Sequence, residues 1–280
     1  MMTYTNSDVA NNTMAIIFTI GLLIVYIPQY YKIIKMRSSI GFSTWFIFLG
    51  QTASWLSAIN ASIYYIPEGY AVCRQSISGC IENQLGLLLL VFQWFLYWIQ
   101  YVLFIKYYPK PEFEILLNEQ DRDKLKKDYR IAKITFIISH VIILFSFVTT
   151  LCLLIFNTQI LQHWGDGVDL VLMVMYLVHY IPQIVETIKL RTAGSISLIS
   201  LGIMTPGSFL WTYFLATQMA DSIEIWVPYL LVAVSQFCLL ILCLYFEFNV
   251  QIELKIERIK AYFRRPNELN ELNSSLTDEV

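Results

Sequence analysis

Followed residue by residue, the chain is a series of long apolar runs interrupted by short polar turns. Seven runs reach about 20 residues, the length a helix needs to cross the hydrocarbon core of a bilayer. They are Met14–Met36, Phe42–Tyr65, Asn83–Tyr107, Ile131–Phe156, Val168–Leu190, Ser195–Gln218 and Ser222–Phe246. Each predicts one membrane-spanning helix, so the expected fold is an all-α membrane protein with seven spans. Composition agrees: 57% of the residues are hydrophobic and 14% are charged, against roughly a half and a quarter in ordinary soluble domains. The first apolar run is longer than the core of a cleaved signal peptide, so it reads as a retained helix.

The basic residues orient the chain. Lys32, Lys35 and Arg37 follow the first run, a cluster from Lys106 to Lys133 surrounds the third loop, Lys189 and Arg191 follow the fifth, and Lys255 to Arg265 fill the tail. Of the 19 Lys and Arg, only Arg74 falls on the opposite side. By the positive-inside rule the basic loops and the C-terminus are cytosolic, and the N-terminus is exoplasmic or lumenal.

Self-comparison shows an internal repeat. At a constant offset of 154, Tyr26, Ile27, Pro28, Gln29, Ile34, Lys35, Arg37, Ser43 and Ser54 match Tyr180, Ile181, Pro182, Gln183, Ile188, Lys189, Arg191, Ser197 and Ser208. The third helix of each half aligns through Gln93 and Gln236 after an 11-residue shortening of the preceding loop. The predicted organisation is an exoplasmic N-terminus (1–13), a first three-helix repeat (14–107), a charged cytosolic loop (108–130), a linker helix (131–156), a second three-helix repeat (168–249) and a cytosolic amphipathic and disordered tail (250–280). One span between the repeats makes them parallel, a 3+1+3 arrangement about an axis along the membrane normal, as in some transporters.

A proline in a helix removes one donor and frees the carbonyl one turn earlier, which bends the helix. Inside a membrane those freed groups must face protein or water. Pro28 and Pro182 are thus candidate hinges, with Gln29 and Gln183 able to supply hydrogen bonds. Two hinges placed alike suit an alternating-access gate.

The segments Tyr26–Ser43 and Tyr180–Ser197 resemble the two signature repeats of the PQ-loop family. That family is similar to the SWEET sugar transporters, includes cystinosin and the lysosomal or vacuolar basic amino acid exporters, and shares its seven-helix arrangement with the KDEL receptor. The second repeat, His179-Tyr-Ile-Pro-Gln followed by Thr205-Pro-Gly-Ser-Phe209, is most similar to poorly characterised eukaryotic, fungal-type members. The resemblance implies transport of a small polar solute, an amino acid or a sugar. Two departures bear on proton coupling: Ile203 stands where cystinosin-like members carry an acidic residue, and Leu49-Gly50-Gln51 replaces an exporter-like Leu-Gly-Asp. His179, of a residue type that ordinarily titrates near neutrality, is left as the proton-coupling candidate. His140 belongs to the linker span, and Glu186 is an expected partner for Lys189 or Lys32.

The expected central cavity is lined by Gln29, Gln51, Asn60, Gln93, Gln183 and Gln236, with Trp55, Trp94 and Trp211 as stacking walls. Amides exchange hydrogen bonds with a neutral polar solute without holding an ion. Cys73 and Cys80 share the exofacial loop and are a candidate disulfide, while Cys152, Cys238 and Cys243 lie in apolar helices. Asn11-Asn12-Thr13 is a glycosylation sequon abutting the first helix. Glu112 to Leu117 resembles an acidic dileucine sorting signal, which points to lysosome, vacuole or another endomembrane over the plasma membrane. Ile252, Ile256, Ile259 and Phe263 share a helical face flanked by basic residues, as on a helix lying against an anionic leaflet.

No phosphate-binding glycine loop, metal-ligand spacing or nucleophile with its base is present in the sequence, so neither an enzyme nor a metal or cofactor site is expected. The basic residues are explained by topology, so nucleic acid is not an expected partner. The expected partners are a small polar solute or lipid, and the membrane itself. A homo-oligomer is left open. Two other classes stay open: a phospholipid scramblase with a lateral groove, and a trafficking receptor or scaffold like the KDEL receptor.

Overall fold

The structure is a computed structural model describing residues 6–74, 77–109, 119–218 and 226–250, with side-chain detail for most of them. The described secondary structure is helical throughout, with no strand. In order the helices are α1 (Asn6–Met36), α2 (Thr44–Cys73), α3 (Ile77–Lys106), α4 (Glu119–Phe156), α5 (Thr158–Val178), α6 (Ile181–Leu190) and α7 (Leu198–Gln218). Trp226–Val250 forms α8.

Among the described residues, six segments are long and apolar enough to cross a membrane, with α5 and α6 counted as one segment, Gln159–Leu190. The helix outside that set is α2. It carries Gln51, Thr52, Ser54 and Ser57 inside the bundle, all buried, and packs against α3, α4, α5 and α6. Its hydroxyls fold back on its own carbonyls, Thr52 to Phe48 at 2.8 Å and Ser57 to Ala53 at 3.0 Å. Its polar side chains are thus surrounded by protein.

The fifth span begins earlier than expected. Residues 158–167, which lie outside the expected spans, are the first turns of α5. The polar residues Gly165, Asp166 and Gly167 lower the local hydropathy, yet Leu161, Val168, Leu172 and Met175 are buried at helical spacing. The Asn157 side chain accepts from the Ile160 N–H at 3.1 Å and caps the start. The sequon Asn11–Thr13 falls within α1. Cys73 and Cys80 are joined in a disulfide between α2 and α3. The dileucine segment 112–117 and the tail 252–265 lie outside the described residues.

The largest buried cluster draws on both halves. Ile33, Phe42, Phe46, Ile47, Tyr101 and Phe104 of the first half pack with Tyr180, Ala193, Ile196, Leu201, Leu239 and Cys243 of the second. It lies toward the end of the bundle that carries Lys35, Arg37, Lys189 and Arg191, called here the basic end.

Candidate functional site

The two connections at the basic end, 37–43 and 191–197, are built alike. Arg37 and Arg191, equivalent at the 154-residue offset, both adopt the left-handed conformation, with φ of 48° and 51°. Each closes its helix with a backbone N–H bonded back, Arg37 to the Ile34 carbonyl and Arg191 to the Thr187 carbonyl. The connections then meet backbone to backbone: the Ser195 N–H donates to the Ile40 carbonyl at 2.8 Å. Gly41 and Gly194 make this approach possible. Both have positive φ, 106° and 53°, and a Cβ on Gly41 would stand 2.9 Å from the Ala193 carbonyl oxygen.

The glutamines of the repeated motif clasp this junction crosswise. Gln29 Nε2 donates to the Ser195 carbonyl at 2.8 Å, and Gln29 Oε1 accepts from the Ser197 N–H at 2.8 Å. Gln183 Nε2 donates to the Gly41 carbonyl at 2.7 Å, and Gln183 Oε1 accepts from the Ser43 N–H at 2.9 Å. Gly41 and Ser43 become Ser195 and Ser197 at the same offset of 154, so the four bonds repeat under the internal pseudo-twofold. Both glutamines are buried, Gln183 completely. Lys32 adds a fifth crossing bond, from Nζ to the Ile196 carbonyl at 2.6 Å. That is its described partner, in place of the expected Glu186.

The two prolines sit in different backbones. Pro28 lies inside the continuous α1. Pro182 lies in the first turn of α6, where no helical N–H donor is needed, and the chain is interrupted at His179-Tyr180.

Directly inward of the clasp is a cavity of about 50 Å³. Its lining includes Gln29, Gln183, Gln100, Tyr26, Tyr180 and Phe46. At roughly 10–15 Å³ per enclosed water, it has room for a few waters and none for a hexose or an amino acid.

The remaining candidates fall elsewhere. Gln51, Asn60, Gln93, Gln236, Trp55, Trp94 and Trp211 are not part of that lining. Gln51 is fully buried, with neither amide atom hydrogen-bonded. Gln236 Oε1 accepts from Ser208 at 2.7 Å while its Nε2 has no partner. Gln93 is half-buried on α3. Trp55 packs on Trp94 at 4.8 Å and donates to Ser146 of α4 at 2.7 Å. Trp211 meets Phe18 of α1 edge-on at 5.0 Å. These tryptophans serve helix contacts here, and the axis between them and the clasp is occupied by Phe46 and the tyrosines.

His179 is buried at the end of α5, stacked on Phe46 with ring centres 4.5 Å apart and planes 2° apart. Its Nε2 lies 3.3 Å from the Tyr97 hydroxyl. Both groups pack over Gly50, where any Cβ would collide with them. His140 has both ring nitrogens occupied, Nδ1 by the Phe136 carbonyl at 2.8 Å and Nε2 by the Trp98 N–H at 3.1 Å. This fixes a neutral tautomer in a packing role.

Three features escaped the sequence reading. Gln100 is an isolated amide in an apolar helix, overlooked because the repeat alignment favours Gln93. Asp169 lies within a spanning segment. The pairing of the two loops leaves no local signature beyond Gly41 and Gly194.

The PQ loop repeat family matches this chain twice, over residues 10–69 and 165–223. The chain is therefore a PQ-loop repeat protein of the membrane, built of several apolar helices. An uncharacterised protein of Schizosaccharomyces pombe is similar to it, 23% identical over 250 residues that span 86% of this chain and 82% of that protein.

Proposed function

We propose that this protein moves a small polar solute, an amino acid or a sugar, across an endomembrane by alternating opening of its two ends. On this reading seven helices cross the bilayer as 3+1+3, with α2 the shielded polar span and the basic end cytosolic. The reciprocal glutamine clasp is the closed cytosolic gate. It carries the proposal because the same crossed bonds repeat in both halves and close over a small cavity to which Gln29, Gln183 and Gln100 contribute. The gate opens when Gln29 and Gln183 release the opposing loops and the segments ending at Pro28 and Pro182 swing apart. His179, held between Phe46 and Tyr97 at the edge of this region, is the proton-coupling candidate.

The test is uptake of labelled hexoses and amino acids into liposomes, with and without an inward acid gradient. Wild type is compared with Gln29→Ala/Gln183→Ala and His179→Ala, and lipid scrambling is measured in parallel. Saturable uptake in the wild type, altered in the clasp variant, is the expected result. Lipid scrambling without solute uptake overturns the reading.

A further inference from the structure

Asp169 lies in α5, within the apolar segment Gln159–Leu190. A carboxylate at such a depth is costly unless something uses it. Asp169 and Tyr176 lie seven residues apart on one face of α5, and beyond the break at His179-Tyr180 the same segment supplies Tyr180 and Gln183 to the cavity. Asp169 is exposed and is bonded to Asn60 of α2.

Asp169 Oδ1 accepts from Asn60 Nδ2 at 2.6 Å. The other amide atom, Asn60 Oδ1, is buried with no partner. Asp166, three residues away on α5, adds negative potential. The described ion pairs, Lys126–Asp123 and His163–Asp166, do not neutralise Asp169. Toward the clasp, Ser57 Oγ meets the Tyr176 hydroxyl at 2.5 Å, and the Tyr176 ring lies 5.3 Å from that of Tyr229.

A carboxylate beside an unpaired amide oxygen is complementary to a compact cation with several N–H donors. A hexose brings no charge to such a corner, and an anion is repelled. We propose that Asp169 and Asn60 bind the ammonium group of a small solute, an inference that rests on the transport reading and narrows its substrate class. Asp169 receives the charge, and Asn60 both orients the carboxylate and offers the second acceptor.

The experiment measures thermal stabilisation of the purified full-length protein by a panel of free L-amino acids, their N-acetyl derivatives, small primary amines and hexoses, beside liposome uptake of the same compounds. The expected result is stabilisation by at least one free amino acid or amine, its loss on N-acetylation, a roughly tenfold or greater weakening in Asp169→Asn and recovery in Asp169→Glu. The acetylation comparison uses wild type alone, so it stands even if a variant fails to fold. Equal binding of free and acetylated compounds, binding of hexoses alone, or no stabilisation by any amine overturns the inference. Ammonium-dependent binding without uptake upholds this site and overturns transport instead, while uptake of hexoses alone does the reverse.

Discussion

The two copies of Tyr-Ile-Pro-Gln make the same hydrogen bonds from different backbones. Gln29 reaches out from the uninterrupted α1, whereas Gln183 reaches from the first turn of α6, just past a break at His179-Tyr180. The residue matching His179 at the 154-residue offset is Val25. Only in the second half does a polar aromatic ring stack on Phe46 and approach Tyr97 next to the proline. The same four residues therefore specify a contact without specifying a helix geometry. The contact is dictated by the amide and the loop facing it, and the geometry by what packs beside the proline.

The comparison breaks most easily at the loop junction. Gly41→Ala and Gly194→Ala force a Cβ into opposing backbone at positive φ and are each expected to cost about 3 kcal/mol. Thermal unfolding in nanodiscs measures the loss, and a cost near zero means the loops do not need their close approach. Next come the clasps. Gln29→Ala and Gln183→Ala each strand a buried carbonyl and N–H, so each should cost about 2 kcal/mol and the two should agree closely if the pseudo-symmetry is energetic as well as geometric. A clear inequality would show that one half carries the gate.

The prolines should differ. Pro28→Ala, inside a continuous helix, is expected to stabilise by about 1 kcal/mol, while Pro182→Ala, in a first turn that requires no donor, should change stability by less than about 0.5 kcal/mol. Hydrogen exchange of α1 and α6 beside the melting curves would reveal a reversal. The smallest effects belong to the serines. Ser197 Oγ accepts from the Ser200 N–H at 3.3 Å at the start of α7, so Ser197→Ala should cost about 0.5–1 kcal/mol. Ser43 enters its clasp through its backbone N–H, so Ser43→Ala should cost less. Equal costs would mean that the Ser197 cap contributes nothing to stability.

Much of this was legible before any coordinates. Six of the seven apolar runs coincide with segments long and apolar enough to cross a membrane, and the offset repeat picked out Gln29 and Gln183. Self-comparison reports which residues are equivalent, however, not which ones touch. That each glutamine bonds the backbone of the opposite half follows only when both loops are placed in space. The cavity list is met in part by the cavity behind the clasp, where Gln29 and Gln183 are found, while Trp55 and Trp94 pack on one another, and nothing in one helix's sequence states its rotation relative to its neighbours. Asp169 was hidden by its surroundings, one carboxylate beside a buried apolar stripe, and its significance depends on Asn60 of another helix.

The clasp also sets an equilibrium. On the proposed gating, the four glutamine bonds, at about 1 kcal/mol each, contribute about 4 kcal/mol to holding the loops together, beside the Ser195–Ile40 and Lys32–Ile196 bonds. Those four alone hold the separated arrangement to roughly one molecule in a thousand or fewer, and a solute that prefers it about a thousandfold offsets them. Uncharged side chain to backbone bonds are thus weak enough for a single small ligand to offset.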